Sequence, residues 1–284
     1  MHLLLALTTS AFAAWPEDVN IAGMTDQGGI PQVNTEVLAA DYKQIIKELG
    51  VAVGSRVALP ANTLGARGFE LSLDTTFNFH VFNGAEEGVS PWSRVHTAED
   101  PAQFLVQPGL TVRKGLPFSI EVGMGGRWIS QSRQGVINGF ARVALVEGYH
   151  PYPDVTVHLG GAGYVGNSQL EMGVFDAGIT LGTRAALGPA KGAKATALSP
   201  FVDVTLMVIS AAPEVDAVTR TQIGAVAFGN RDTDTDPTNN AKAIAVPSFN
   251  GGLQFDAGAL IFRVTGGYAL GAAPWAGASV GFHY

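Results

Sequence analysis

The sequence predicts an all-β fold: a transmembrane, antiparallel, up-and-down β-barrel of about ten strands (eight or twelve as alternatives), preceded by one short helix. Three observations carry that expectation. First, Gly68 to Phe82 reads GFELSLDTTFNFHVF. In an extended chain Phe69, Leu71, Leu73, Thr75, Phe77, Phe79 and Val81 share one side, and Glu70, Ser72, Asp74, Thr76, Asn78 and His80 the other. The alternation outlasts an ordinary strand of roughly 5 to 6 residues and the roughly 9 to 11 that a tilted strand needs to cross a bilayer. Second, charged residues are only 14% of the 284, and Gly is 36 of them, against about 25% and about 7% in soluble domains. Third, no run of about 18 apolar residues occurs, so helical spans are excluded and the apolar residues are spread at short period.

Residues 1–13, MHLLLALTTSAFA, combine an apolar stretch with Ala11-Phe12-Ala13, a small-x-small cleavage pattern, and read as a signal peptide. Residues 14–50 form a periplasmic or lumenal segment. Within it Asn34 to Leu49 places Val37, Leu38, Ile45, Ile46 and Leu49 on one helical stripe, with Asn34 or Thr35 as cap and Gly50 as stop. Such a helix can plug or line a lumen, lie on the periplasmic leaflet, or pack under the barrel mouth. The barrel occupies 51–284. Val51 to Leu59 reads as a short lead-in strand, and Gly68 to Phe82 is the first span. Asn83 to Gln103 is a long polar connection, which faces outward in bacterial barrels.

Phe104 to Arg113 returns to a turn at Lys114-Gly115. The next spans are Pro117 to Ser130, Gly135 to Glu147, Val155 to Gly166, Leu170 to Ala186 and Pro200 to Ala211. Pro213 to Ala245 is a second long outer excursion, in which Thr219 to Phe228 can extend the strands. Ser248 to Phe255, Leu260 to Leu270 and Trp275 to Tyr284 complete ten spans with both ends periplasmic. Twelve require the Val51 and Thr219 strands to cross as well.

Several stretches carry a resemblance. LGARGFELSLD (Leu64 to Asp74), VRKGLPFSIEVG (Val112 to Gly123) and the closing FNGGLQFDAG and GASVGFHY resemble those of uncharacterised outer-membrane β-barrel proteins of Gram-negative genomes. Val280, Phe282 and the last residue, Tyr284, resemble the assembly signal of such barrels. The resemblance implies the bacterial outer membrane, its lipid and the barrel assembly machinery as partners, and no reaction.

The inward-facing candidates are Glu70, Asp74, Glu121, Arg127, Arg142, His158, Asp176, Arg184, Asp203, Asp256 and Arg263. A base facing lipid at mid-depth costs on the order of 2 to 4 kcal/mol, which is why these side chains belong on the lumen side. Arg binds carboxylates bidentately, so the set either fills and rigidifies a narrow lumen or lines a selective conduit. His80, His158 and His283 also point inward but at different heights, so they do not gather into an acid–base or metal centre. Asp232, Asp234 and Asp236 alternate as at the start of a calcium loop, but Pro237 replaces the turn Gly and Ala243 the closing Glu. Trp92, Trp128 and Trp275 are placed at the membrane rims. A net charge of -7 disfavours nucleic acid, and zero cysteines exclude disulfides and thiolate metal sites.

The expectation is a monomeric, non-enzymatic barrel without cofactor or metal that passes or binds a small or amphipathic ligand through a narrow Arg/carboxylate-lined lumen. The alternatives are a structural or adhesion barrel acting on an extracellular partner through loops 83–103 and 213–245, and an outer-membrane hydrolase dependent on His158.

Overall fold

The computed structural model describes residues 18–25, 34–55, 58–80, 84, 86, 89–95, 103–130, 132–148, 152–187, 196–229 and 240–284. The expected signal peptide at 1–13 and the acidic run at 231–236 lie outside the described residues.

Ten strands form the wall: β1 (Phe69–Phe79), β2 (Phe104–Leu116), β3 (Ile120–Trp128), β4 (Gly135–Val146), β5 (Asp154–Val165), β6 (Leu170–Gly182), β7 (Ala197–Pro213), β8 (Ile244–Ala257), β9 (Leu260–Ala269) and β10 (Pro274–His283). Each pairs antiparallel with its sequence neighbours, and β10 returns to β1 to close the barrel. At the seam Phe69 N donates to Tyr284 O at 3.0 Å and Tyr284 N to Phe69 O at 2.9 Å. Closure removes every unpaired edge, which is what a sheet in lipid requires.

The outer face is apolar. Leu73, Met124, Ile137, Val202 and Val264 are each at least 60% exposed, and only Lys114 and Glu171, near strand ends, put a charge there. In water such a belt would be an aggregation site; in a bilayer it is solvated.

The described residues of five connections, 80, 84, 86, 89–95 and 103, 129–130 and 132–134, 166–169, 214–229 and 240–243, and 270–273, lie at one end, hereafter the long-loop end. The other end holds 117–119, 147–148, 152–153, 183–187, 196, 258–259 and Tyr284.

Several expectations need correcting. The β2–β3 turn is not at Lys114-Gly115: β2 runs on to Leu116, and the chain reverses at 117–119 with Phe118 and Ser119 at φ 64° and 54°. Non-Gly residues are uncommon there, so no Gly marked the turn. The lead-in strand from Val51 is not formed. Instead α1 (Thr35–Val53) continues through Gly50, where a Cβ would stand 2.4 Å from Ile209 Cδ1. Gly50 is therefore a contact point of the helix with β7 rather than its stop. Thr219 to Phe228 is chiefly α2 (Ala217–Ile223), followed by a short strand at Ala227–Phe228. Of the three tryptophans, Trp128 alone is exposed outward; Trp92 and Trp275 are buried.

α1 is capped by Asn34, whose side chain accepts from Glu36 N at 2.9 Å. It lies inside the long-loop mouth, not on the periplasmic leaflet. Leu38, Tyr42, Ile45, Ile46 and Leu49 are completely buried, in one cluster with inward residues Leu105, Val136, Leu170, Met172 and Ile209 of the wall. Trp92, Ile223 and Phe228 from the loops join it from above. Burial lifts the Tyr42 phenol above its ordinary range, and the hydroxyl donates to Val226 O at 3.4 Å. Ile46→Ala should cost about 2 to 5 kcal/mol by leaving a cavity in this cluster. Thermal unfolding of the detergent-solubilised protein measures it, and an unchanged transition would show that α1 is not part of the folding unit.

Candidate functional site

The interior has two storeys. The long-loop half is mainly apolar, with Glu48, Asn78, His80 and Gln107 as buried polar residues, and holds α1. The opposite half is polar and holds residues 54–55 and 58–68, which are placed in order from the end of α1 through the lumen to β1.

Wall residues bond this segment along its length. Arg127 donates to Val53 O at 2.9 Å and to Gly54 O. Ser55 N and Oγ donate to the Asp176 carboxylate at 3.0 and 2.7 Å. Asn138 donates to Ser55 O at 3.4 Å. Lower down, Arg142 donates to Pro60 O and Thr156 to Ala61 O. At the far mouth Glu147 accepts from Thr63 N at 2.6 Å, and Glu121 from Leu64 N at 3.1 Å. Each of these bonds joins a wall side chain to the segment, mostly to its backbone, so backbone groups with no ladder of their own find partners inside the barrel. Close approach depends on Gly160 of β5, where a Cβ would stand 2.0 Å from Ser55 Oγ.

All these contacts come from β3 to β6 and the turn after β4. On the opposite side a gap of about 80 Å³ separates the segment from β1, β2, β9 and β10. Asp74, Thr111, Arg127, Arg263 and Ser279 line it, and Asp74 accepts from Thr111 Oγ1 at 2.6 Å. That volume holds a few waters.

Below the gap runs a belt of charge. Arg113 donates to Glu70 and, at 2.8 Å, to Glu121; Arg142 stands 3.8 Å from Glu121. Arg263 donates to Glu70 at 3.1 Å and to Gln254, and Gln254 donates to Asp256 at 2.7 Å. Arg184 closes the row on Asp256 at 3.2 Å. Cross-strand register builds it: Glu70 pairs with Arg113, Glu121 with Arg142, and Gln254 with Arg263.

Thus Glu70, Glu121, Arg142, His158, Asp176, Asp203, Asp256 and Arg263 are buried inside the barrel, and Asp74 and Arg127 are half-buried. Arg184 differs. β6 ends at Gly182, so Arg184 is exposed at the mouth and reaches back to Asp256. Arg113 and Asp154 are inward charges absent from the expected set: Arg113 was placed as the last strand residue beside the misplaced turn, and Asp154 one residue before its strand. Val280 and Phe282 face outward, and Tyr284 is exposed beyond the end of β10.

The histidines are spread apart. His158 lies 3.6 Å from Asp203 and 3.4 Å from Thr205 Oγ1, which has the order of a carboxylate, base and hydroxyl. The void lined by Thr205 is about 20 Å³, room for a single water and no substrate. His80 packs against Trp92 at 4.0 Å and faces Glu48 at 3.8 Å in the long-loop mouth, while His283 is at the other end. Among the described residues no group of three His, Asp or Glu side chains is placed to hold a metal.

No protein-family model matches the sequence, and no curated protein matches it. Solved structures that are similar include LpxR from Salmonella typhimurium, at 8% identity over 63% of this chain and 72% of that one, with a TM-score of 0.34. Ail, the attachment invasion locus protein of Yersinia pestis, is similar at 8% identity over 77% of this chain and 99% of its own, TM-score 0.27. Omp33 of Acinetobacter baumannii is similar at 9% identity over 77% and 98%, TM-score 0.26. Likeness of this degree transfers no activity, and the chain's own geometry has to supply the functional argument.

Proposed function

We propose that the protein is a bacterial outer-membrane barrel that works from its long-loop face as a binding or adhesion module, its lumen closed by its own N-terminal segment. One observation carries this: the inward groups that would line a conduit, Arg127, Asn138, Arg142, Thr156 and Asp176, are engaged by Val53, Gly54, Ser55, Pro60 and Ala61. With α1 packed above them, little room is left for a solute. The long-loop end supports the reading, because there Trp92, Ile223 and Phe228 fold the connections onto α1 through a shared core. An apolar belt on a closed, even-stranded antiparallel wall supports the outer membrane as its location.

A second reading, a narrow conduit, has one observation in its favour, the polar gap beside Asp74 and Arg263. Planar-bilayer recording separates the two. The resting protein is expected to be electrically silent. A steady conductance that falls on Arg127→Ala or Asp74→Ala would replace the binding module with the conduit.

A further inference from the structure

We infer that the barrel presents its own N-terminal segment at its outer mouth: residues 18–25 and the N-terminal end of α1 open to the cell exterior, α1 is seated in that mouth, and the chain between α1 and β1 passes through the lumen. The inference rests on the outer-membrane reading above and adds a crossing that the strand count omits. Ten strands alone return the chain to the side from which β1 starts, and a lumenal pass before β1 makes the crossings odd. Asp18 and Tyr284 are therefore on opposite sides of the membrane, contrary to the expectation of two periplasmic ends.

The order of contacts fixes the direction. Along the segment Gly50 meets Ile209 near the long-loop end, Ser55 meets Asp176 at mid-wall, and Thr63 meets Glu147 at the opposite mouth. Residues 54–68, at about 3.3 Å each, reach at most roughly 50 Å, enough for a hydrocarbon core of about 30 Å. Upstream of α1 the chain stays at the long-loop end: Asn20 N donates to Val95 O at 3.0 Å, Val19 N to Gln134 at 3.2 Å and Ala22 N to Gln169 at 2.9 Å. Those acceptors belong to three different connections of that end, so the placement does not depend on one loop. The apolar stripe of α1 explains why it does not slip back. It is buried in the upper storey, and the polar lower storey offers it no partner.

The chain has no cysteine, so single cysteines report topology against a blank background. Three exposed positions are used in the full chain in intact cells: Glu36→Cys on α1, Val218→Cys on α2 and Ala66→Cys at the opposite mouth. A membrane-impermeant maleimide should label Cys at 36 and 218 at once, and Cys at 66 only after the outer membrane is permeabilised. Labelling at 218 but not at 36 would overturn the display of the N-terminal segment while leaving the barrel's orientation intact. Labelling at 66 with neither 36 nor 218 would overturn both.

Discussion

Valine at position 160 is expected to expel the lumen segment from its seat and raise its solvent accessibility about a thousandfold. The seat has no spare volume: a Cβ on residue 160 would stand 2.0 Å from Ser55 Oγ and 2.5 Å from Asp176 Oδ1. Those two side chains are bonded to each other at 2.7 Å, and Ser55 N adds a second bond at 3.0 Å. Overpacking of this kind costs about 1 to 3 kcal/mol, and a hydrogen bond to a charged group contributes about 1.5 to 3. A loss of about 4 kcal/mol in seating energy corresponds to roughly three factors of ten in the unseated population. Leu59→Cys, buried in the lumen at 7% exposure, is the reporter, and the rate of its reaction with a small maleimide is measured with and without Gly160→Val. α1 keeps its own apolar core, so the mouth stays capped and the barrel stays silent in a bilayer. Equal labelling rates in two folded proteins would show that Gly160 and Asp176 do not hold the segment.

The outer wall was legible because lipid punishes every lapse. Leu71, Leu73 and Phe77 alternate with Glu70, Asp74 and Asn78, and the structure puts the first set outside and the second inside. The inner wall near the long loops was not legible. Leu170, Met172 and Val174 face inward beside outward Phe175, and Ile209 faces inward beside Val208. With apolar residues on both faces, period-two contrast vanishes and nothing marks a helix's docking site. The amphipathic stripe of α1 announced a partner but not which mouth supplied it. Residues 54–68 show no periodicity in sequence, and Gly54, Ser55, Pro60, Ala61, Thr63 and Leu64 each meet a different wall side chain. The β2–β3 turn was set too early, beside Arg113, because its left-handed positions are filled by Phe118 and Ser119 and not by glycine.

Replacing Glu70 by alanine should destabilise the barrel by about 3 to 5 kcal/mol, the cost of breaking a buried ion pair from one side. Glu70 is completely buried, and its two oxygens accept from different guanidinium groups, those of Arg113 and Arg263. Without it Arg113 keeps Glu121 and Arg263 keeps Gln254, but the belt then carries an uncompensated positive charge. The surrounding wall is immersed in hydrocarbon, which screens poorly. At about 2 to 4 °C per kcal/mol for a chain of this class, the midpoint at which the folded barrel loses its compact gel mobility should fall by roughly 10 °C. Arg184→Ala at the exposed rim is the contrast, worth about 1 kcal/mol or less despite its bond to Asp256. Removing both charges at once, Glu70→Leu with Arg113→Met, should cost less than Glu70→Ala alone, because a buried pair exchanged for apolar groups is often neutral or stabilising. If Glu70→Ala melts with the parent, the belt carries no stability. If the double variant melts lower than the single one, Arg113 holds the wall through Glu121, not through Glu70.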